Sequence, residues 1–211
     1  MNPSANRRIL IADDNAAIHD DFRKILTPEK PHARGAEKNA IVAADADAFE
    51  IEFAMQGSEA FEKVKRAAKE GRPFAMAFVD VRMPPGWDGI ETIAHLWKAD
   101  PALHAALCTA YSDYSWEKMI AQLGVNDRLV ILKKPFDNVE ILQLARTLTS
   151  KWNTTREVQR HVAELDRRVA QRTQHLRAAN EELRRSEERF AKAFSGDAGS
   201  LASRPHETAR D

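Results

Sequence analysis

Four short apolar stretches of this chain run into residues that could do chemistry. RILIA leads to Asp13-Asp14, FAMAFV to Asp80, the stretch ending in Leu107-Cys108 to Thr109, and LVIL to Lys133-Lys134-Pro135. If these stretches are parallel strands, a ligand binds outside their carboxyl ends. Three carboxylates, one hydroxyl and an amine then share one crevice. Three carboxylates repel one another unless a cation joins them, and hard oxygen donors with room for water suit Mg²⁺. A metal there would neutralise both a carboxylate nucleophile and the oxygens of an incoming phosphoryl group. The lysine ammonium and the threonine hydroxyl can take the remaining oxygens. Phosphoryl transfer needs mainly such positioning and charge compensation, and a carboxylate nucleophile yields an acyl phosphate. Each residue also has an ordinary reading. Asp13-Asp14 could cap a helix, Asp80 could serve a turn, Thr109 could end a strand, and Lys134 could be a solvated loop charge. Their joint occurrence at four strand ends is what argues for a site.

The elements that must position these residues alternate along the chain. Short apolar runs predict strands at Arg8–Ala12, Glu50–Met55, Phe74–Val79, His104–Cys108 and Leu129–Leu132. FAMAFV and LVIL are continuously apolar, as in strands covered on both faces. Amphipathic stretches predict helices at Ala16–Leu26, Ser58–Glu70, Gly89–Lys98, Ser115–Leu123 and Asn138–Ser150, with Ser58 and Ser115 as N-caps. Alternating strands and helices imply a parallel sheet. The fold class is α/β, a flavodoxin-like doubly wound sheet with expected strand order 2-1-3-4-5. Residues 27–49 are longer than most connections in such folds and read as a surface insertion.

From Lys151 the texture changes. No Gly or Pro occurs until Gly196. Val162, Val169, Leu176, Leu183 and Phe190 fall at heptad position a, and Val158, Leu165, Arg172, Ala179 and Ser186 at position d. Residues 151–192 are therefore expected to form a parallel dimeric coiled coil, with Arg172 and Ser186 weakening the d seam. Residues 193–211 read as a disordered tail. The α/β part is taken as 7–150.

Composition excludes several classes. Lys plus Arg and Asp plus Glu number 32 each, so the chain lacks the basic footprint of a dedicated nucleic-acid binder. The lone Cys108 sits in an apolar run and reads as a buried, inert thiol. No stretch approaches the roughly 18 apolar residues of a membrane span, and the expected location is cytoplasmic.

ILIADD, AFVDVRMPPGWDGIETI, LCTAYSD and ILKKPFD together resemble the receiver domains of two-component response regulators, over residues 7 to 150. The resemblance implies that Asp80 is the phosphoacceptor. Asp14 and Asp80 would bind Mg²⁺ directly, Asp13 mostly through water, and the backbone carbonyl of Arg82 would complete the protein ligands. Thr109 would hydrogen-bond the phosphoryl group and Lys134 would pair with it. The Lys134–Pro135 bond is often cis in this family. The implied partner is a histidine kinase, and the chain would be a phosphoacceptor, not an enzyme with its own substrate. Three features depart from the pattern. MPPGWDG carries one additional residue between Pro84 and Asp88; Ile131 stands where an aromatic switch residue is common; and the insertion precedes strand two. GWDG, the insertion, AYSDYSWE and LKKPFD in combination are similar to receivers attached to hybrid sensor kinases or cyclic-nucleotide-signalling proteins. RTQHLRAANEELRRSEERFAKAF resembles the helix that leads into a PAS domain. The chain is thus a stand-alone regulator or a piece of a hybrid histidine kinase or diguanylate cyclase. The rival reading is a scaffold that dimerises without phosphorylation.

Arg82 lies two residues after Asp80, where a haloacid-dehalogenase-type phosphatase would need a second aspartate. His161 lacks the proline-containing H-box pattern of histidine kinases, and it and His175 read as surface residues.

Overall fold

The computed structural model describes residues 5–27, 48–110, 121–124 and 126–200, with side chains described up to 192. Residues 28–47 of the insertion expected at 27–49, the loop Tyr111 to Ser115 and most of the helix expected at Ser115–Leu123 lie outside the described residues.

Five strands form one parallel sheet: β1 Arg8–Ala12, β2 Glu50–Ala54, β3 Met76–Asp80, β4 His104–Thr109 and β5 Leu129–Lys133. Their order is β2-β1-β3-β4-β5, all pairs parallel. Each predicted strand is present; β1 has the expected bounds and the others have ends moved by one or two residues. The largest shift starts β3 at Met76 instead of Phe74, because pairing begins where Met76 meets Ile9 and His104.

Strand alternation divides the core in two. Ile9, Ile11, Met76, Phe78, Ala106, Cys108 and Leu132 face one side, together with Phe22 and Leu26 of helix α1 (Ala16–Leu26) and Ile141, Ala145 and Leu148 of the C-terminal helix. Leu10, Ala12, Ala77, Val79, Ala105 and Leu107 face the other, under α2 (Gly57–Lys69) and α3 (Gly89–Ala99). A period of two in the strands makes this partition unavoidable once both faces are covered. Asn15 caps α1, accepting from the Ala17 N–H, and Asp88 caps α3, accepting from the Glu91 N–H. Ser58 is not a cap. The helix begins one residue earlier, at Gly57, after Gln56, whose side chain makes no capping bond. Gly57 is needed there because a Cβ would lie 2.0 Å from the Thr92 hydroxyl on α3.

The C-terminal helix α4 runs Asn138–Ser200. It passes the expected end at Ser150 and takes in residues 193–200, which the sequence reading placed in a disordered tail. Helix propagation adds one hydrogen bond for each residue ordered, and only Gly196 and Gly199 resist it in that stretch. The chain divides into two units, Met1–Glu157 and Val158–Asp211. Within the first, α4 is tied down at Asn153. The Asn6 N–H donates to Asn153 Oδ1 (2.8 Å), and Asn153 Nδ2 donates to the Asn6 carbonyl (2.9 Å). Lys151 Nζ meets Asp127 Oδ2 at 2.9 Å. Within the second, Val158, Val162, Leu165, Val169, Leu176, Leu183 and Phe190 are exposed, each by more than half. No helix among the described residues is long and apolar enough to cross a membrane.

His104 opens β4 and is buried, with neither ring nitrogen hydrogen-bonded among the described residues. Burial, reinforced by the Lys151 ammonium, holds its pKa below the usual histidine value, although Asp127 opposes the shift. A depressed pKa stabilises the fold above the unfolded-state pKa of about 6.5 and loses that contribution as pH falls through the folded value. His104→Leu is therefore expected to lose less melting temperature than wild type between roughly pH 7.5 and 5.5, as read by thermal denaturation.

Candidate functional site at the carboxyl edge of the sheet

The same alternation that divides the core also sorts the candidate residues. Asp13 continues the Ile9–Ile11 face of β1, and Asp80 continues the Met76–Phe78 face of β3. Lys134 follows Val130 and Leu132 beyond β5. All three belong to one side of the carboxyl edge, and the structure brings them together. Lys134 Nζ lies 2.9 Å from Asp13 Oδ2 and 2.7 Å from Asp80 Oδ1.

Each of these side chains is fixed by its own backbone. The second Asp13 oxygen accepts from the Asn15 N–H (2.9 Å), and the Asp13 N–H donates to the Ala54 carbonyl (3.1 Å). The second Asp80 oxygen accepts from the Arg82 N–H at 3.0 Å. The Lys134 N–H donates to the Thr109 carbonyl at 2.7 Å, which anchors the lysine to the end of β4. The Lys134–Pro135 peptide is cis, matching the expectation from the resemblance. Thr109 ends β4, one residue beyond the Cys108 that is paired with Asp80, and its hydroxyl donates to the Ala110 carbonyl (3.0 Å).

Electrostatics follow from this packing. Burial raises the Asp80 pKa above the ordinary aspartate value, and the Asp13 charge adds to the rise, while Lys134 and the Arg82 N–H oppose it. Burial by itself would lower the Lys134 pKa, but its hydrogen bonds to Asp80 and Asp13 leave it raised. The ammonium stays charged and shared between two carboxylates. Cys108, buried on the same face, has its thiol pushed up to about 12 by burial, so the expectation of an inert thiol fits.

Asp14 is placed differently. Asp13 is buried, whereas Asp14 is exposed. Among the described residues, no group of three His, Cys, Asp or Glu side chains converges closely enough to hold a metal. The donor chemistry nevertheless fits a hard divalent cation. Two carboxylates at the strand ends share a single ammonium, and a third is next in sequence.

Sequence reading missed two supports of the site. Gly89 starts α3 against the backbone of Asp80. Its N–H donates to the Val81 carbonyl, and a Cβ would stand 2.3 Å from the Asp80 carbonyl oxygen. The Asp-Gly pair before an apolar stretch was the available signal. The stretched MPPGWDG loop is also braced. Pro84–Pro85 is cis, Gly86 N–H closes the turn to the Met83 carbonyl, and Gln56 Nε2 donates to the Pro84 carbonyl at 3.0 Å. Trp87 stacks on His95 (centroids 4.1 Å apart), and both rings meet Phe61 edge-on. The additional residue is absorbed by an aromatic brace joining the loop to α2 and α3.

The family model for the response regulator receiver domain matches residues 29–146. The chain belongs to the response-regulator receiver family. The matched segment holds Asp80, Thr109 and Lys134; β1 with Asp13 precedes it and is joined to it through β3 and Lys134. Solved structures share the fold. An adenylate cyclase from Rhodopirellula baltica is 21% identical, with 75% of this chain and 98% of that chain covered and a TM-score of 0.57. A CheY-like receiver domain protein from Methanospirillum hungatei JF-1 is 21% identical, with coverages of 71% and 98% and a TM-score of 0.52. The signal receiver domain of an HD domain-containing protein from Pseudomonas fluorescens Pf-5 is 19% identical, with coverages of 74% and 96% and a TM-score of 0.54. No curated protein matches the chain.

Two substitutions test the site as built. In this receiver the ionised Asp80 carboxylate is net disfavoured by its surroundings, so Asp80→Asn is expected to leave the melting temperature unchanged or raise it. Gly89→Ala is expected to destabilise the domain by about 1–3 kcal/mol in chemical denaturation, because the new methyl meets backbone that cannot swing aside.

Proposed function

We propose that this protein accepts a phosphoryl group on Asp80 from a histidine kinase or a small acyl phosphate, and passes the change on through α4. The observation that carries the reading is the Lys134 ammonium held 2.7 Å from Asp80 and 2.9 Å from Asp13. An Asp80 oxygen attacks the donor phosphorus, the donor's bond to phosphorus breaks, and the histidine or carboxylate departs. Lys134 then pairs with the new phosphoryl oxygens, and the Thr109 hydroxyl turns from Ala110 to hydrogen-bond one of them. Mg²⁺, when bound, would supply charge neutralisation for nucleophile and phosphoryl group. Asp14 and Asp80 would hold it directly, with Asp13 through water and the Arg82 carbonyl. Asp80 must be ionised to attack. Its raised pKa therefore means that reactivity falls with pH at a value above that of an ordinary aspartate.

We further assign the output to a parallel homodimer of the heptad stretch, supported by its row of exposed apolar residues. The location we assign is the cytoplasm. The chain acts as a phosphoacceptor, without a separate substrate of its own. A second reading places it as the receiver portion of a larger signalling enzyme. The fold likeness to structures named as an adenylate cyclase and as part of an HD domain-containing protein favours it.

Incubation with acetyl phosphate and Mg²⁺, read by intact mass, is expected to add one phosphoryl group to wild type and none to Asp80→Asn. Chelation of the metal or Lys134→Ala should reduce the yield at least about tenfold. Failure of wild type to gain mass from acetyl phosphate and from any histidine kinase would favour a scaffold that works without phosphorylation.

A further inference from the structure

We propose that Arg172 is a built-in destabiliser of the helix pairing. It holds self-association of the Val158–Ser200 stretch below what its apolar seam would support, and it makes that association strengthen with salt. The inference rests on the homodimer reading above.

Seven apolar side chains of this stretch are exposed, from 51% at Val162 to 68% at Phe190. They share one heptad register, so an identical helix offers a matching seam, and the occupant of this face is a second copy of the chain. In a parallel, in-register pair each d residue faces its own copy. Arg172 takes the d position between Val169 and Leu176, so two guanidinium groups enter one layer of the seam.

Nothing nearby compensates them. The residues three and four positions away on the same helix are Arg168, Val169, His175 and Leu176, none of them acidic. No Asp or Glu occurs between Asp166 and Glu181, while Arg167, Arg168, Arg172 and Arg177 all do. The flanking positions that a copy would bring alongside are Thr173 at e, and Arg168 and His175 at g. Elsewhere the helix pairs its arginines within itself, as in Arg168 with Glu164, Arg184 with Glu188 and Arg185 with Glu181. An unpaired charge in an apolar seam is costly even when its stem lies along the seam and its head reaches water. The repulsion between like charges is screened by salt, so ionic strength should tighten this pair.

Sedimentation equilibrium of the full chain tests the idea, comparing wild type, Arg172→Leu, and Gln171→Leu, which lies off the seam. Arg and Leu have similar helix propensities, so folding of the helix is not the variable. At about 50 mM salt, Arg172→Leu should dimerise at least about tenfold more tightly than wild type, and Gln171→Leu should match wild type. Raising the salt to about 500 mM should tighten wild type and leave Arg172→Leu little changed. If wild type dimerises and Arg172→Leu is no tighter, or if Gln171→Leu tightens it equally, the role of Arg172 is refuted while the homodimer stands. If all three remain monomeric, the homodimer reading falls and this inference with it.

Discussion

The site rests on one ammonium held between two carboxylates. Asp13 and Asp80 stand at the ends of neighbouring central strands, where their charges repel. Lys134, from the far edge of the sheet, satisfies both at hydrogen-bond distance. This ties β1, β3 and the end of β5 into one electrostatic unit across the sheet. It also sets the tension that phosphoryl chemistry would use. Asp80 is buried enough for its charge to be disfavoured, yet its partner remains charged. Burial strengthens each interaction in such a site and makes an unmatched charge costly.

Everything around that unit keeps it in place. The two apolar layers fix the register of the strands, and register decides which face each strand-end residue joins. A slip of one residue would send Asp13 or Asp80 to the side away from Lys134. Gly89 lets α3 begin in contact with the Asp80 backbone, so the end of β3 is fixed from both sides. The Trp87–His95–Phe61 brace ties the lengthened loop to α2 and α3.

Much of this was legible from residue types and order. The five strands, their order and the identity of the strand-end residues follow from apolar runs and the rule that ligands meet strand carboxyl ends. Other features were not legible. Ser58 looked like a cap, but the close approach of α2 to Thr92 starts the helix at Gly57. Gly196 looked like a stop, yet the helix continues to Ser200. A single glycine costs only about 1 kcal/mol against the bonds that propagation adds. Asp13 and Asp14 are adjacent and chemically identical; alternation puts them on opposite faces of β1, and only the packing beyond the strand end shows that Asp13 is the buried one.

The sequence by itself determined the α/β class, the parallel order, the set of chemical groups at the carboxyl edge and the heptad row on α4. These depend on periodicity and on local residue type, which the chain carries at every position. Only the tertiary structure decided that Asp13 shares Lys134 with Asp80, that Gly89 underlies Asp80 and that Trp87 is braced by His95. Those outcomes depend on which strand faces and helix starts come within a few ångströms of each other, and such distances are set by packing across residues far apart in the chain.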